Sequence, residues 1–438
     1  MLGHRTRRIA ALLTLALAPL VALSGAPTAA HAEPTSDPDS GTYAAMGAPV
    51  DGGESIAQAP LIAPGIHLDE FATGGTATSE EGTVKLYRVQ VGAGEILHAS
   101  ATIVPPPYTT PVPSSTQEIE PVVDILGASG DTCRDGSSTT TGDYLAGDGP
   151  VTSSAVSTAA GEGCPAGAMF VRVARTGARA SGTALPMEIQ VSVERAGAVT
   201  GSPSTSEGIT DDTADPVAPE SSEPVDPGRS LGDPLTVAPG SYLVRLAPGD
   251  VASFGIDVQA GQRLRWRTEV VSDPGENPGR IWLNAWNPAR EMTTVAGGDF
   301  AFDERGTING GSMGAPVVPG NRSSDDTAVA SAWLPGRYTV SLRRGARTQT
   351  DVEWGGSSGD QPVTLILTLQ VEGKADPAVT TADLIELGDV DAAHAGAGPV
   401  ERMLGISGTR VLALGGAAVL GLTAVATGVG GLVLLRRR

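Results

Sequence analysis

Lysine is nearly missing from this 438-residue chain. Lys85 and Lys374 are the only two, and arginine supplies the rest of the basic charge. Basic charge as a whole is short. With three arginines at each end set aside, 23 basic residues face 49 acidic ones between positions 33 and 410, a net charge near −26. Such a surface repels nucleic acid and anionic lipid, and no basic stripe long enough to bind either interrupts it, so nucleic-acid binding is excluded. The arginine bias, with abundant Ala, Gly, Val and Pro, points to a GC-rich genome, and an actinobacterial source is expected.

Cysteine and histidine are equally sparse. Cys133 and Cys164 are the only cysteines and have no neighbouring histidine, which makes a poor zinc site. In an exported chain, an even count within one domain favours a disulfide closing a loop of about 30 residues; two free thiols are the alternative. Past the leader, the histidines are His67, His98 and His394. Two stretches, 310–314 and 355–359, satisfy the GxSxG pattern. That pattern matters as a strand-to-helix elbow with a His in reach of the Ser, and neither condition is met here. Asp299, Asp303 and Glu304 beside Phe300 and Phe302 offer paired carboxylates for glycoside chemistry, and the same loop, or Asp325 and Asp326, offers oxygens for calcium. No DxDxDG-type spacing supports a calcium loop, and surface solvation explains the charges. No catalytic residue, metal or cofactor is expected, and the chain reads as a non-enzyme.

The ends carry targeting information. Residues 1–32 hold Arg5, Arg7 and Arg8, a short apolar stretch and a final Ala30-His31-Ala32, the pattern of a cleavable signal peptide. Residues 411–435 form an uncharged run followed by Arg436, Arg437 and Arg438. As a helix it would reach ~37 Å, enough to cross a ~30 Å hydrocarbon layer, with the 436–438 tail in the cytoplasm. Residues 401–409 (ERMLGISGT) lack the LPxTG-like pentapeptide of a sortase signal. A single-pass cell-membrane protein is therefore expected, its N-terminus outside and its C-terminus inside. Ala417, Gly421, Ala424 and Gly428 repeat along one helical face, which leaves helix-mediated self-association open.

Between the ends, one unit is used twice. SIAQAPLIAPG at 55–65 is matched by SLGDPLTVAPG at 230–240, and LYRVQVGAGEIL at 86–97 by SFGIDVQAGQRL at 253–264. GAMFVRV at 167–173 is matched by GRYTVSL at 336–342. Short period-2 strands broken by Gly, Pro, Asp and Ser predict an all-β chain with two tandem antiparallel β-sandwich domains. The expected boundaries are 1–32 signal peptide, 33–53 disordered segment, 54–195 first sandwich and 196–228 acidic Pro-rich linker. They continue with 229–373 second sandwich, 374–410 juxtamembrane spacer and 411–435 transmembrane helix.

The stretches APGIHL, LYRVQVGAGEILHAS, PVVDILGASG, CPAGAMFVRV and PMEIQVSVE, in that order, resemble the bacterial pre-peptidase C-terminal (PPC-like) domain. The second copy departs from the pattern, because GRIWLNAWNP at 279–288 lacks the Asp of the corresponding strand. The resemblance covers both units and implies a sandwich that accompanies secreted enzymes or surface proteins without performing catalysis itself.

All five tryptophans, Trp266, Trp282, Trp286, Trp333 and Trp354, lie in the second unit. Strand alternation sets Trp266 opposite Arg263, Arg265 and Arg267, and puts Trp282 and Trp286 on one face. Two readings follow. The rings fill a core, or Trp266, Trp282 and Trp286 with the three arginines form a binding platform for a glycan or an envelope protein. The expectation is a membrane-anchored extracellular protein presenting two interaction modules. An accessory subunit that tethers a separately encoded hydrolase or envelope complex is the alternative.

Overall fold

The computed structural model describes residues 42–388 apart from 74–82, 107–117, 134–138, 144–147, 181, 206–213, 273–278, 294–298, 303 and 346–361. The signal peptide, the apolar 411–435 run, His394 and Trp354 lie outside the described residues. Among the described residues, no helix is long and apolar enough to cross a membrane.

Seven principal strands build each half. The first half contains β1 (Gly65–Phe71), β2 (Val84–Val91), β3 (Ile96–Ile103), β4 (Glu120–Leu126), β5 (Asp148–Val156), β6 (Gly167–Thr176) and β7 (Leu185–Glu194). The second contains β8 (Gly240–Leu246), β9 (Val251–Val258), β10 (Gln262–Val270), β11 (Gly279–Trp286), β12 (Ile308–Ser312), β13 (Gly336–Arg344) and β14 (Val363–Gly373). One sheet of the first half runs β1-β7-β3-β5, and the matching sheet of the second runs β8-β14-β10-β12. The other sheets run β2-β6-β4 and β9-β13-β11. The strand order is the same in both halves, and these pairings are antiparallel.

Period-2 patterning makes these sandwiches. In β7, Met187, Ile189 and Val191 face one way and are fully buried, as are Leu97 and Ile103 of β3. With Val89, Val91, Val171 and Val173 from the facing sheet they form the first core. Phe254, Trp266, Leu283, Tyr338 and Leu367 belong to a separate second core. Burying a side chain of this size contributes ~1.5–3 kcal/mol, so each half has the means to close on itself. The β2–β3 and β9–β10 hairpins repeat one device. Gly94 and Gly261 take φ of 78° and 81°, a left-handed geometry that suits glycine. The Gly92 and Gln259 amides donate to the side chains of Glu95 and Gln262 at 2.6 and 3.0 Å.

Cys133 and Cys164 are bonded, with Cα atoms 5.6 Å apart, and both sulfurs lie in the first core. The bond ties the chain leaving β4, where the Cys133 amide donates to the Ile125 carbonyl, to the chain entering β6.

Several boundaries differ from the sequence reading. Residues 42–53 fall in the expected disordered segment, yet Ala48–Pro49 pairs in parallel with β1 and Tyr43 is buried. Short parallel pairs also bring Leu61–Ile62 onto β2 and Leu235–Val237 onto β9, so the sheets are not purely antiparallel. The expected spacer begins as folded chain. Residues 381–384 form one helical turn, and Ile385–Glu386 adds to the edge of β7. Linker residues 196–205 and 214–228 carry no helix or extended strand, but they are held down. Ala198 and Val199 pack on the cluster of Ala289, Trp333, Leu334, Leu384 and Ile385, and the Val225 amide donates to the Leu243 carbonyl. These departures share a cause: short segments with weak patterning order only because an already formed sheet edge or face receives them.

Candidate functional site

Alternation leaves each sheet with an outward face, and in the first half that face is polar. β7 presents Glu188, Gln190, Ser192 and Glu194; β3 presents His98, Ser100 and Thr102; β5 presents Thr152. Such a row would ordinarily meet water. Here it is sealed: Glu188 is 0% exposed, His98 1% and Glu194 4%. The cover is the second sandwich, which brings the outward face of β9-β13-β11 and residues 287–291 onto it.

Residues 287–291 form a tight turn. The Asn287 side-chain oxygen accepts from the amides of Ala289 and Glu291, and Arg290 takes φ of 59°, unusual for a residue other than glycine. The turn thus aims two neighbouring charges of opposite sign at the first sandwich. Arg290 makes a 2.6 Å ion pair with Glu188. Glu188 also accepts from the Met46 amide at 3.0 Å, and Gln190 donates to the Pro288 carbonyl at 2.7 Å.

The centre of the seam is His98. Its Nε2 lies 2.9 Å from Glu194 and its Nδ1 2.9 Å from Glu291. Only an imidazolium can donate to both. Glu291 is saturated on its other oxygen, which accepts from the Trp333 indole N–H and the Asn287 amide, each at 2.6 Å. The Trp333 ring stacks on His98 with centroids 5.7 Å apart, and Arg322 lies 3.5 Å from Glu194. Burial alone would push Glu291 up. The charge and hydrogen bond of His98, the Arg322 charge and the Trp333 N–H reverse this and hold it at about 2. Burial likewise opposes charge on His98, but Glu291 and Glu194 outweigh it against a counteracting Arg322, so the imidazole titrates above its ordinary value.

Two further contacts close the seam. Arg343 of β13 pairs with Asp148 of β5 at 2.9 Å, both buried. Tyr43, Leu231, Val251 and Trp286 form an apolar cluster between the halves, with the Leu231 amide donating to the Tyr43 hydroxyl. Burial raises the Tyr43 hydroxyl well above its ordinary value, so it stays protonated. A small cavity beside this cluster is lined by Thr152, Asn284, Trp286, Ser341 and Arg343.

The platform considered from sequence does not form as an open surface. Trp266 is 0% exposed, inside the second core, because alternation turns it inward. Arg263 and Arg265 both pair with Glu372, and Arg267 pairs with Glu269 at 3.2 Å. Trp282 and Trp286 do share the outward face of β11, but the Trp286 end of that face meets the first sandwich while Trp282 stays half-buried. Trp286 is buried in the apolar cluster, and the Arg343 guanidinium lies 3.8 Å from the centre of the Trp282 ring. Of the three platform rings, Trp286 thus lies between the halves, Trp266 in the second core, and Trp282 under Arg343.

The remaining candidates are dispersed. His67 lies in β1 beside Ile189 of β7, and its Nε2 contacts the Ala63 carbonyl at 2.9 Å, so it takes no part in the seam's ion pairs. Ser312 of the first GxSxG stretch is buried in β12, and the second stretch lies outside the described residues. The Asp326 carboxylate caps the short helix 327–330 by accepting from the Ala328 amide. Sequence reasoning passed over Glu188, Gln190, Glu194, Arg290, Glu291 and Arg343 as seam residues. The one signal available was the polar run on β7 aligned with a lone His on β3.

No family model matches the chain, and no curated protein matches it. Among solved structures, the N-terminal CBM22-1-CBM22-2 tandem domain of Xyn10C from Paenibacillus barcinonensis is similar over 71% of this chain and 92% of its own, at 11% identity and a TM-score of 0.17. The ANXUR2 extracellular domain from Arabidopsis thaliana is similar over 72% and 86%, at 6% identity and a TM-score of 0.17.

Proposed function

We propose that this chain is a non-catalytic, membrane-tethered extracellular scaffold whose two β-sandwiches act as one rigid body. The observation that carries the reading is the seam. Asp148, Glu188 and Glu194 with His98, Arg290 and Arg343 are removed from water between the halves, and Glu291 and Arg322 are largely so, an arrangement that is worthwhile only if relative placement matters. Buried charge pairs add little net stability over apolar packing, but breaking one is costly, so they fix a single docking geometry. A fixed body offers a partner one composite surface, where a flexible pair would offer two independent ones. The 411–435 run supports tethering by its length and its basic flank, and the acidic surface suits an aqueous exterior.

Intact cells expressing the full chain provide the test. Added protease should remove the sandwiches from outside while alkaline carbonate leaves the uncut protein in the membrane fraction. Deleting 411–438 should release the body into the medium. Protease protection in intact cells, or membrane retention after the deletion, would overturn the reading.

A further inference from the structure

The seam's charges balance under one condition. Asp148, Glu188, Glu194 and Glu291 face Arg343, Arg290, Arg322 and His98, so the set is neutral only with His98 protonated. Three of those cations keep their charge at any pH a protein meets, and His98 is the one that can lose it. It is also the member bound on both sides: Glu194 belongs to its own sheet and Glu291 to the other sandwich.

We propose that His98 is a proton-operated latch: its imidazolium clamps Glu194 to Glu291, and loss of its proton releases the second sandwich from the polar face of β7, β3 and β5. The geometry supplies the reason. A neutral imidazole carries one N–H, yet both ring nitrogens lie 2.9 Å from a carboxylate oxygen. Whichever tautomer forms, one nitrogen lone pair of a buried ring faces an anion, and two carboxylates then share less positive charge than they need. Glu194 is fixed within β7 with its side chain 5% exposed, whereas Glu291 sits in a turn with its side chain 17% exposed. Relief therefore comes by Glu291 moving out to solvent, and it takes the 287–291 turn with it.

The groups facing the latch come from every element around it. β7 contributes Glu194, the 287–291 turn contributes Glu291 and Asn287, and the 3-10 turn Pro319–Ser323 contributes Arg322. Trp333 stacks on the ring, and the buried Tyr338 hydroxyl of β13 is raised first by desolvation and then by Glu291. Arg322 pulls His98 down and the two carboxylates push it up, with a net upward result. The latch is thus closed below the ordinary imidazole value and opens as pH rises past a point above it. A surface protein with this device would display a different face as its surroundings turned alkaline, baring Trp286, Trp333 and the polar row.

This inference rests on the two sandwiches being docked. The full chain in detergent is titrated from pH 6 to pH 10 while acrylamide quenching of tryptophan and the radius of gyration are followed. Two of the five tryptophans should become accessible together, in one reversible step centred above 6.5, as the particle expands. His98→Gln, which cannot titrate, should show no such step. Histidine hydrogen exchange by mass spectrometry on the unmodified chain gives the titration of His98 itself, and it should coincide with the quenching step. A closed particle throughout the range, a step that survives in H98Q, or a His98 titration that does not coincide with the expansion would each overturn the latch. A particle already extended at pH 6 would instead contradict the docked body.

Discussion

Residue 291 shows how much one position can decide. As an exposed glutamate after a strand it would count for little, but here it joins His98, Trp333 and Asn287 across two sandwiches. Glu291→Gln keeps the shape and removes the charge, leaving His98 buried against one carboxylate. A loss of about 3–5 kcal/mol from the docked state is expected, read by chemical denaturation followed at Trp333. The pH dependence has a definite sign. Glu291 has its folded value depressed to about 2 from 4.5, so its contribution is complete above 4.5 and is lost as pH falls through 2. His98 has its folded value raised from 6.5, so its contribution is complete below 6.5 and is lost as pH rises through the folded value. Denaturation midpoints measured across pH should therefore peak between about 5 and 6.5. A plateau running unchanged to pH 9 would contradict the assignment. Trp266 makes the contrasting case: it is core alone, so Trp266→Ala should cost about 3–5 kcal/mol at any pH in that range.

At the scale of elements, the disulfide and the repeated hairpins carry the testable content. The Cys133–Cys164 bond spans 31 residues, and the chain-entropy model gives about 3–4 kcal/mol for a loop of that length. Replacing both cysteines with serine should lower the first sandwich's unfolding free energy by that amount and leave the second's unchanged; equal losses in both would mean the halves unfold as one cooperative unit. Much of the element structure was legible in the sequence. Alternation in 187–193 and 365–371, and the GAGE and QAGQ hairpins, announced paired strands. The seam was not legible, for a physical reason. A strand reading apolar-polar-apolar has the same pattern whether its polar face meets water or a neighbouring domain, and Glu188, Gln190, Ser192 and Glu194 look like a solvated row. Nothing local links His98 to Glu291, which lies 193 positions later. The tryptophans left two readings open for a related reason. Trp282 and Trp286 did share a face, but Trp286 is buried against Tyr43 of the first half. Trp266 belonged to the core, where alternation alone had already turned it.

For the whole molecule, the proposed docking makes one body of two modules. A recognition site for a specific protease inserted within 206–213 offers a direct check. After complete cleavage the two sandwiches should still co-elute at pH 6, held by the seam, and should separate when Glu188→Ala and Glu291→Ala are combined. Separation of the unmutated halves on cutting would show that the connection, not the seam, holds them together.

The most direct measurement is a distance. Gln90 on β2 and Ile308 on β12 are both exposed, one in each sandwich, and the native cysteines are already bonded. Spin labels at Gln90→Cys and Ile308→Cys in the full chain, read by pulsed dipolar spectroscopy at pH 6, should give a single narrow distance distribution. A broad distribution, of the kind two sandwiches on a flexible linker would produce, would contradict the rigid docked body.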